Sequence, residues 1–289
     1  MARSDGIMAV FGATVGLEDH AVRACLAIDG AERADSIGER NRMKTVLKEL
    51  AMMGRRAIAW MVFPFDIAFH DKAIPMSVQA NHVRWQEHLY EIGNKEGLRV
   101  LEVGSREVTG KSVARERFGR AEYVGFDYYA GPNVDVVGDV HRLSSYFKPG
   151  EKFDIIYSSA CFEHFAMPWI VAIEIAKLLK VGGTLCIETH FSFSAHERPW
   201  NFFQFSDMGL RVLFSQALGF ECIEAGFSNP IVGRFSSLAA DYLRLRPVKA
   251  LYCHSEYLGR KVREVDSFDW SDVDLADVVS GTHYTVPQS

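Results

Sequence analysis

The stretch from Leu98 to Gly110, LRVLEVGSREVTG, constrains this chain more than any other: an apolar strand runs into a tight turn that is expected to open a helix. Leu98, Val100, Leu101 and Val103 supply the near-continuous apolar run of an interior parallel strand, buried on both faces. Glu102 stands near its carboxyl end, and Gly104 lets the backbone turn where a Cβ would clash. Parallel strands need crossover connections, so a doubly wound α/β sheet is the expected frame. In such a sheet ligands bind beyond the carboxyl ends of the strands, where the following helix offers free N–H groups to an anion.

Downstream the pattern repeats. Strands are expected at Leu98–Val103, Tyr123–Phe126, Val134–Val137, Phe153–Tyr157, Thr184–Glu188 and Glu221–Gly226, with a seventh near Leu251–Arg260. Helices fit between them at Val108–Phe118, Pro168–Lys180 and Ser206–Leu218, and Val181-Gly182-Gly183 reads as a helix C-cap. Upstream, residues 1–95 read as a helical segment, with apolar spacing over Asp19–Ala34, Arg40–Met61 and Ser77–Gly93. It carries no motif, so packing as a cap or homo-oligomer contact is the expected role. The nucleotide-type domain then covers 96–263, and 264–289 is an acidic, peripheral tail.

Composition narrows the partners. The 289 residues are 48% hydrophobic, enough for a sizeable core, and a net charge of −5 without a basic run excludes a phosphate-backbone footprint, so no nucleic acid is expected. The five cysteines are widely spaced and mostly in apolar runs, which suits reduced core residues in a cytoplasmic protein. Ile7–Gly16 leads into Leu17-Glu18-Asp19-His20 rather than a small-residue cleavage site. Ala57–Phe69, broken by Pro64 and Asp66, is shorter than the roughly 20 residues a membrane span needs, and reads as a buried helix end or a flap.

Two acids follow Glu102 at strand ends. Asp127, in YVGFDYYAGPNVD, can accept hydrogen bonds from both hydroxyls of a ribose, and Asp139, in VVGDVHRL, can receive an adenine amino group. Taken singly, each is more often a turn or helix cap. In order, LEVGSREVTG, YVGFD, VVGD, FDIIYSSACFEHF and LLKVGGTLCIETH resemble the successive motifs of the class I S-adenosylmethionine-dependent methyltransferases, over roughly Leu98–Gly226. The resemblance implies a Rossmann-like, seven-stranded, mostly parallel sheet, S-adenosylmethionine as cofactor and S-adenosylhomocysteine as product. Carried over residue by residue, it implies a cofactor site of Glu102, Gly104, Ser105, Arg106, Asp127, Tyr128, Asp139, Val140, His141 and Ser159. Arg106 and Val108 stand where the usual first motif has its later glycines. A dinucleotide dehydrogenase shares the first strand and the ribose acid, but the G-x-G-x-x-G turn that brings a pyrophosphate against backbone is absent.

Methyl transfer from a sulfonium is an in-line displacement, helped for a hydroxyl acceptor by a base. The fourth strand runs into SSACFEHF, not the Asn/Asp-Pro-Pro-aromatic tetrapeptide of resembling amino-methylating enzymes, which favours an oxygen acceptor. Glu163, His164, His190 and His196 are the candidate bases, with His190 best placed. Glu188, His190, Glu163 and His164 could also gather a divalent metal, an arrangement less favoured than a metal-free site. Phe191, Phe193, Trp200, Phe202, Phe203 and Phe205 crowd one connection and suit a wall for a sugar or aromatic substrate, with Arg198 pairing to an acidic group. The expected function is O-methylation of a sugar, glycoside or specialised-metabolite hydroxyl. The alternatives are a non-catalytic S-adenosylmethionine-binding protein or an N- or C-methyltransferase of a small molecule.

Overall fold

The computed structural model describes residues 42–54, 57, 71, 73–108 and 110–278. The chain divides into two units, Met1–Asp66 and Ile67–Ser289. In the first, helix α1 covers residues 42–54, with Met43, Val46, Leu47, Leu50 and Met53 exposed at three- and four-residue spacing. The expected helix Asp19–Ala34, the stretch Ile7–Gly16 and, apart from Ala57, the window Ala57–Phe69 lie outside the described residues. Among the described residues no helix is long and apolar enough to cross a membrane.

The second unit opens with α2 (Trp85–Gly93) and runs β1 (Arg99–Val103), α3 (Ala114–Arg117), β2 (Glu122–Asp127), β3 (Val136–Val137), β4 (Phe153–Ser159), α4 (Pro168–Leu178) and β5 (Leu179–His190). It closes with α5 (Asp207–Leu213), β6 (Phe220–Arg234), β7 (Pro247–Lys261) and α6 (Leu275–Val278). The seven strands form one sheet in the order β3-β2-β1-β4-β5-β7-β6, with β7 antiparallel to both neighbours and every other pair parallel. The fold is the Rossmann-like one expected. Strand order reverses between β1 and β4, and their carboxyl ends therefore open the crevice where a ligand belongs.

The pleat of β1 sends Leu101 and Val103 into one apolar layer with Val171 and Ile175 of α4 and Leu210 of α5, while Val100 joins Trp85, Leu89, Phe118 and Tyr157 in the other. Each such fully buried side chain contributes roughly 1.5–3 kcal/mol. The outer edge of β6 is closed by the segment ahead of α2. Ser77 N–H donates to Phe227 O and Phe227 N–H to Pro75 O, both at 3.0 Å. The Glu224 carboxylate accepts from the amides of Val78, Gln79 and Ala80, the last two at 2.9 Å. Such a covered edge is protected from pairing with another chain.

Four expected elements change. The helix placed at Val108–Phe118 shrinks to Ala114–Arg117, because Glu107 Oε1 accepts the Ser112 amide at 3.0 Å and Gly110 and the β-branched Val113 disfavour a helical start. No helix N-terminus therefore follows the Gly104 turn directly. The helix at Ser77–Gly93 begins only at Trp85, since Glu224 holds residues 78–80 in a turn, and that at Ser206–Leu218 ends at Leu213. Val181-Gly182-Gly183 does not cap a helix. The chain passes from α4 straight into β5, and Gly182 at φ +86° turns a bulge between the pairings Phe153 with Leu179 and Ile155 with Thr184. In the tail, Phe268 and Trp270 pack against the core.

Candidate active site

The Gly104 turn is built for close approach. Gly104 takes φ +89°, and a Cβ there would lie 2.5 Å from Cys161 Sγ, so both conformation and space demand glycine. A Cβ at Gly125 would collide with Asn133 O and Ser105 Oγ. Ser105 Oγ, wedged there, is buried and finds no hydrogen-bond partner among the described residues. A buried hydroxyl without a partner is unusual, and this one stands at the carboxyl end of β1, where ligands of such sheets bind.

Glu102 sits in a cage of hydrogen-bond donors. Its Oε2 accepts from the hydroxyls of Tyr123 and Tyr157, the second at 2.8 Å, with Asn133 Nδ2 at 3.5 Å. Asn133 Nδ2 also donates to Ser105 O at 3.0 Å, so Glu102 shapes the turn through its neighbours. Burial pushes its carboxyl above the ordinary value, against the hydroxyls that stabilise its charge. The folded state thus holds this proton more tightly than the unfolded chain, and the charged group costs stability once pH has risen through the raised value. Glu102→Gln is expected to melt above the wild type at neutral pH, by a margin that disappears at mildly acidic pH; a lower melting point throughout would show that the charge itself is required.

Asp127 closes β2 as expected, but it is engaged. Its carboxylate accepts from the Arg106 amide at 3.2 Å, Arg106 Nε at 3.3 Å and the Tyr129 amide at 3.0 Å. Arg106 is therefore turned to Asp127, with its guanidinium over the Tyr129 ring. Asp139 sits beyond β3 as the N-cap of the 3-10 turn Val140–Tyr146, and its Oδ1 accepts from both the His141 amide and His141 Nδ1, at 3.0 and 2.6 Å. Its Oδ2 has no hydrogen-bond donor among the described residues. His141 is fully used: Nε2 accepts the Met167 amide at 3.1 Å, tying this turn to the start of α4. Val140 is buried, Tyr128 is exposed beside Trp200, and Ser159 Oγ donates to Glu188 Oε2 at 2.8 Å. The orphaned Ser105 hydroxyl, the Asp127 carboxylate and the free Asp139 oxygen fit a nucleoside with a polar tail. Asp127→Ala is expected to weaken S-adenosylmethionine binding by on the order of 1.5–3 kcal/mol. Calorimetry reads this directly, and an unchanged dissociation constant in a folded variant removes Asp127 from the site.

The candidate bases gather at the ends of β4 and β5. Glu163, fully buried in the 3-10 turn Phe162–His164, accepts the Thr189 hydroxyl at 2.7 Å and lies 2.6 Å from His190 Nδ1. That second contact is close but lacks the alignment of a hydrogen bond. Burial alone would raise the Glu163 carboxyl, and His190 with Thr189 outweighs it, leaving the group below its ordinary value. His190 is buried and stacked on Phe193 with ring centroids 4.4 Å apart. His196 stands 5.3 Å from His190 and 4.9 Å from His164, centroid to centroid. The Nδ1 atoms of His164 and His196 face the carbonyls of Trp200 and Ser194, each at 2.9 Å.

Glu188 does not join this group. It lies with His82 and His254, two residues for which the sequence offers no motif. Only the antiparallel register of β5 with β7, pairing His190 with His254, brings His254 here. Of the aromatic connection, Phe205 is core and Phe203 packs on it, while Phe193, Trp200 and Phe202 are exposed, as is Arg198. The amides of Phe202 and Phe203 donate to Glu163 O at 2.9 and 3.2 Å, fastening this loop to the buried acid.

Residues 79–229 match a family described as a methyltransferase domain. No curated protein matches the chain. Among solved structures, a SAM-dependent methyltransferase from Archaeoglobus fulgidus is 16% identical, covers 61% of this chain and 93% of its own, and has a TM-score of 0.43. The YcgJ protein from Bacillus subtilis gives 16% identity, 62% and 98% coverage and a TM-score of 0.42. The 1,6-didemethyltoxoflavin-N1-methyltransferase of Burkholderia thailandensis, with 1,6-didemethyltoxoflavin and S-adenosylhomocysteine bound, gives 16% identity, 62% and 76% coverage and a TM-score of 0.42.

Proposed function

This chain belongs to the methyltransferase-domain family and is a class I S-adenosylmethionine-dependent methyltransferase, and from that premise we propose that it methylates a hydroxyl of a small molecule, a sugar, glycoside or specialised metabolite. One observation carries the choice of oxygen. A histidine is paired with a buried carboxylate beneath an aromatic ring at the carboxyl end of β5, beside the crevice.

Asp127, Asp139 and Ser105 would hold the cofactor, which supplies an electrophilic methyl carbon. This chain supplies the proton path. With Glu163 as a carboxylate, His190 Nδ1 keeps its hydrogen and Nε2 presents the lone pair that takes the acceptor's hydroxyl proton. Glu163 then compensates the positive ring, much as a buried acid steadies a catalytic histidine elsewhere. The exposed rings of Phe193, Trp200 and Phe202 are suited to stacking on a sugar face or an aromatic acceptor. Free thiols at Cys161, Cys186, Cys222 and Cys253 support a cytoplasmic setting, and the exposed apolar stripe of α1 supports self-association through the N-terminal helices.

The test is a panel of hydroxyl, amine and carbon acceptors incubated with the protein and S-adenosylmethionine, read by mass spectrometry. An O-methylated product supports the reading. Products on nitrogen or carbon alone overturn the choice of atom, and cofactor binding with no product from any acceptor favours a non-catalytic binding protein.

A further inference from the structure

Beside the proposed base lies a second convergence of ligating atoms that methyl transfer does not use. Glu188, on β5, is 1% exposed, and its Oε1 lies 2.7 Å from His82 Nδ1 and 3.4 Å from His254 Nε2. The three residues come from three separate parts of the chain. Glu188 and His254 share one face of the sheet, because β5 and β7 pair Glu188 with Glu256 and His190 with His254. His82 is carried over that face by the edge segment that Glu224 anchors. Its own amide lies 3.4 Å from Ser228 Oγ.

We propose that His82 Nδ1, Glu188 Oε1 and His254 Nε2 bind one zinc-class divalent cation, with the fourth coordination position open. Two imidazoles and one carboxylate are a common donor set for zinc in an open site. Ligand atoms about 2.0–2.1 Å from a tetrahedral ion stand roughly 3.3–3.4 Å apart. Glu188 and His254, the two inner ligands, already have that separation at 3.4 Å. His82 must withdraw slightly from Glu188 and tilt out of its 4.3 Å stack on the His254 ring. Its side chain is 45% exposed and free to do so.

The supporting contacts are also in place. Ser159 Oγ donates to the other Glu188 oxygen at 2.8 Å, which turns Oε1 toward the imidazoles. Asn229 Nδ2 stands 3.0 Å from His254 Nδ1. A turn of this amide about its last bond brings the oxygen to that side, where it would accept the Nδ1 proton and leave Nε2 as the lone-pair donor. Cys253 Sγ lies 3.7 Å from His254 Nε2 and forms a competing set with His254 and His190. That set would take His190 from Glu163, so the carboxylate set is the assignment. It stands apart from the methyl-transfer reading, because cation binding is read without any acceptor.

The test uses the full chain, stripped with a chelator and titrated with Co²⁺ and Zn²⁺ against a chromophoric competitor. The expected result is one cation per chain and visible cobalt bands of a four-coordinate site without a thiolate charge-transfer band. His82→Ala changes a half-exposed side chain and should leave the fold intact by circular dichroism. It should weaken binding by at least the roughly 10- to 100-fold that loss of a mere supporting partner costs. Glu188→Gln should abolish it, and Cys253→Ser should leave it unchanged. No saturable binding, a thiolate band lost in Cys253→Ser, or wild-type affinity in folded His82→Ala would each overturn the assignment.

Discussion

Replacing His190 by alanine is expected to lower turnover by about 100- to 10,000-fold, the range a general base contributes. The dissociation constant for S-adenosylmethionine should stay within a few-fold of wild type, because Ser105, Asp127 and Asp139 hang on β1, β2 and the turn after β3, while His190 ends β5. His164→Ala and His196→Ala are the matched controls. Their rings lie against His190 or each other, and their Nδ1 atoms are held by main-chain carbonyls rather than by a carboxylate. His190 stands nearest the buried Glu163 carboxylate, at 2.6 Å against 3.9 Å for His164 Nε2, and is the ring best placed to be steadied once it has taken a proton. Turnover measured for all three decides the matter: wild-type activity in His190→Ala with loss in His164→Ala or His196→Ala moves the role to that residue, and full activity in all three leaves positioning alone as the source of rate.

Glu163→Ala should be the most destabilising change at the site. Removing the carboxylate leaves the buried His190 Nδ1 without its polar partner, which costs on the order of 1–3 kcal/mol. Here the Thr189 hydroxyl also loses its acceptor. The carboxyl is held below its ordinary value in the folded state, so its contribution is complete above the ordinary carboxylate range and is lost as pH falls through the folded value. Urea unfolding at neutral pH should therefore show the full deficit, and the gap between wild type and variant should narrow in acid. A gap independent of pH would mean that the buried volume of the side chain, not its charge, is what Glu163 provides. Turnover should fall as well, because the ring that stacks on Phe193 loses the partner that sets its tautomer.

Strands β1, β2 and β4 were legible in the sequence because they are interior: each apolar run is bounded by a residue that must do something else, Gly104 after β1, Asp127 closing β2 and Ser159 closing β4. Burial on both faces leaves little freedom in what such a segment can be. The family resemblance followed from those end residues and their order, whereas the strand order came only with the structure. The helix starts were misjudged where a distant side chain competes with the helix for backbone amides, as Glu107 does for Ser112 and Glu224 for residues 78–80. Local periodicity carries no record of such a partner.

At the site, the sequence by itself placed Glu163 and His164 just after β4, His190 at the end of β5 and His196 in the loop beyond it, because parallel connectivity sends these carboxyl ends to one rim. It did not determine which of them are paired. Tertiary structure alone decided that Glu163 turns to His190, that Arg106 lies on Asp127, and that Glu188 meets His82 and His254 instead of Glu163. Strand position is set by short-range pattern, whereas side-chain pairing depends on register between strands as far apart in sequence as β5 and β7, and on loops whose placement is fixed only when the whole sheet has closed around them.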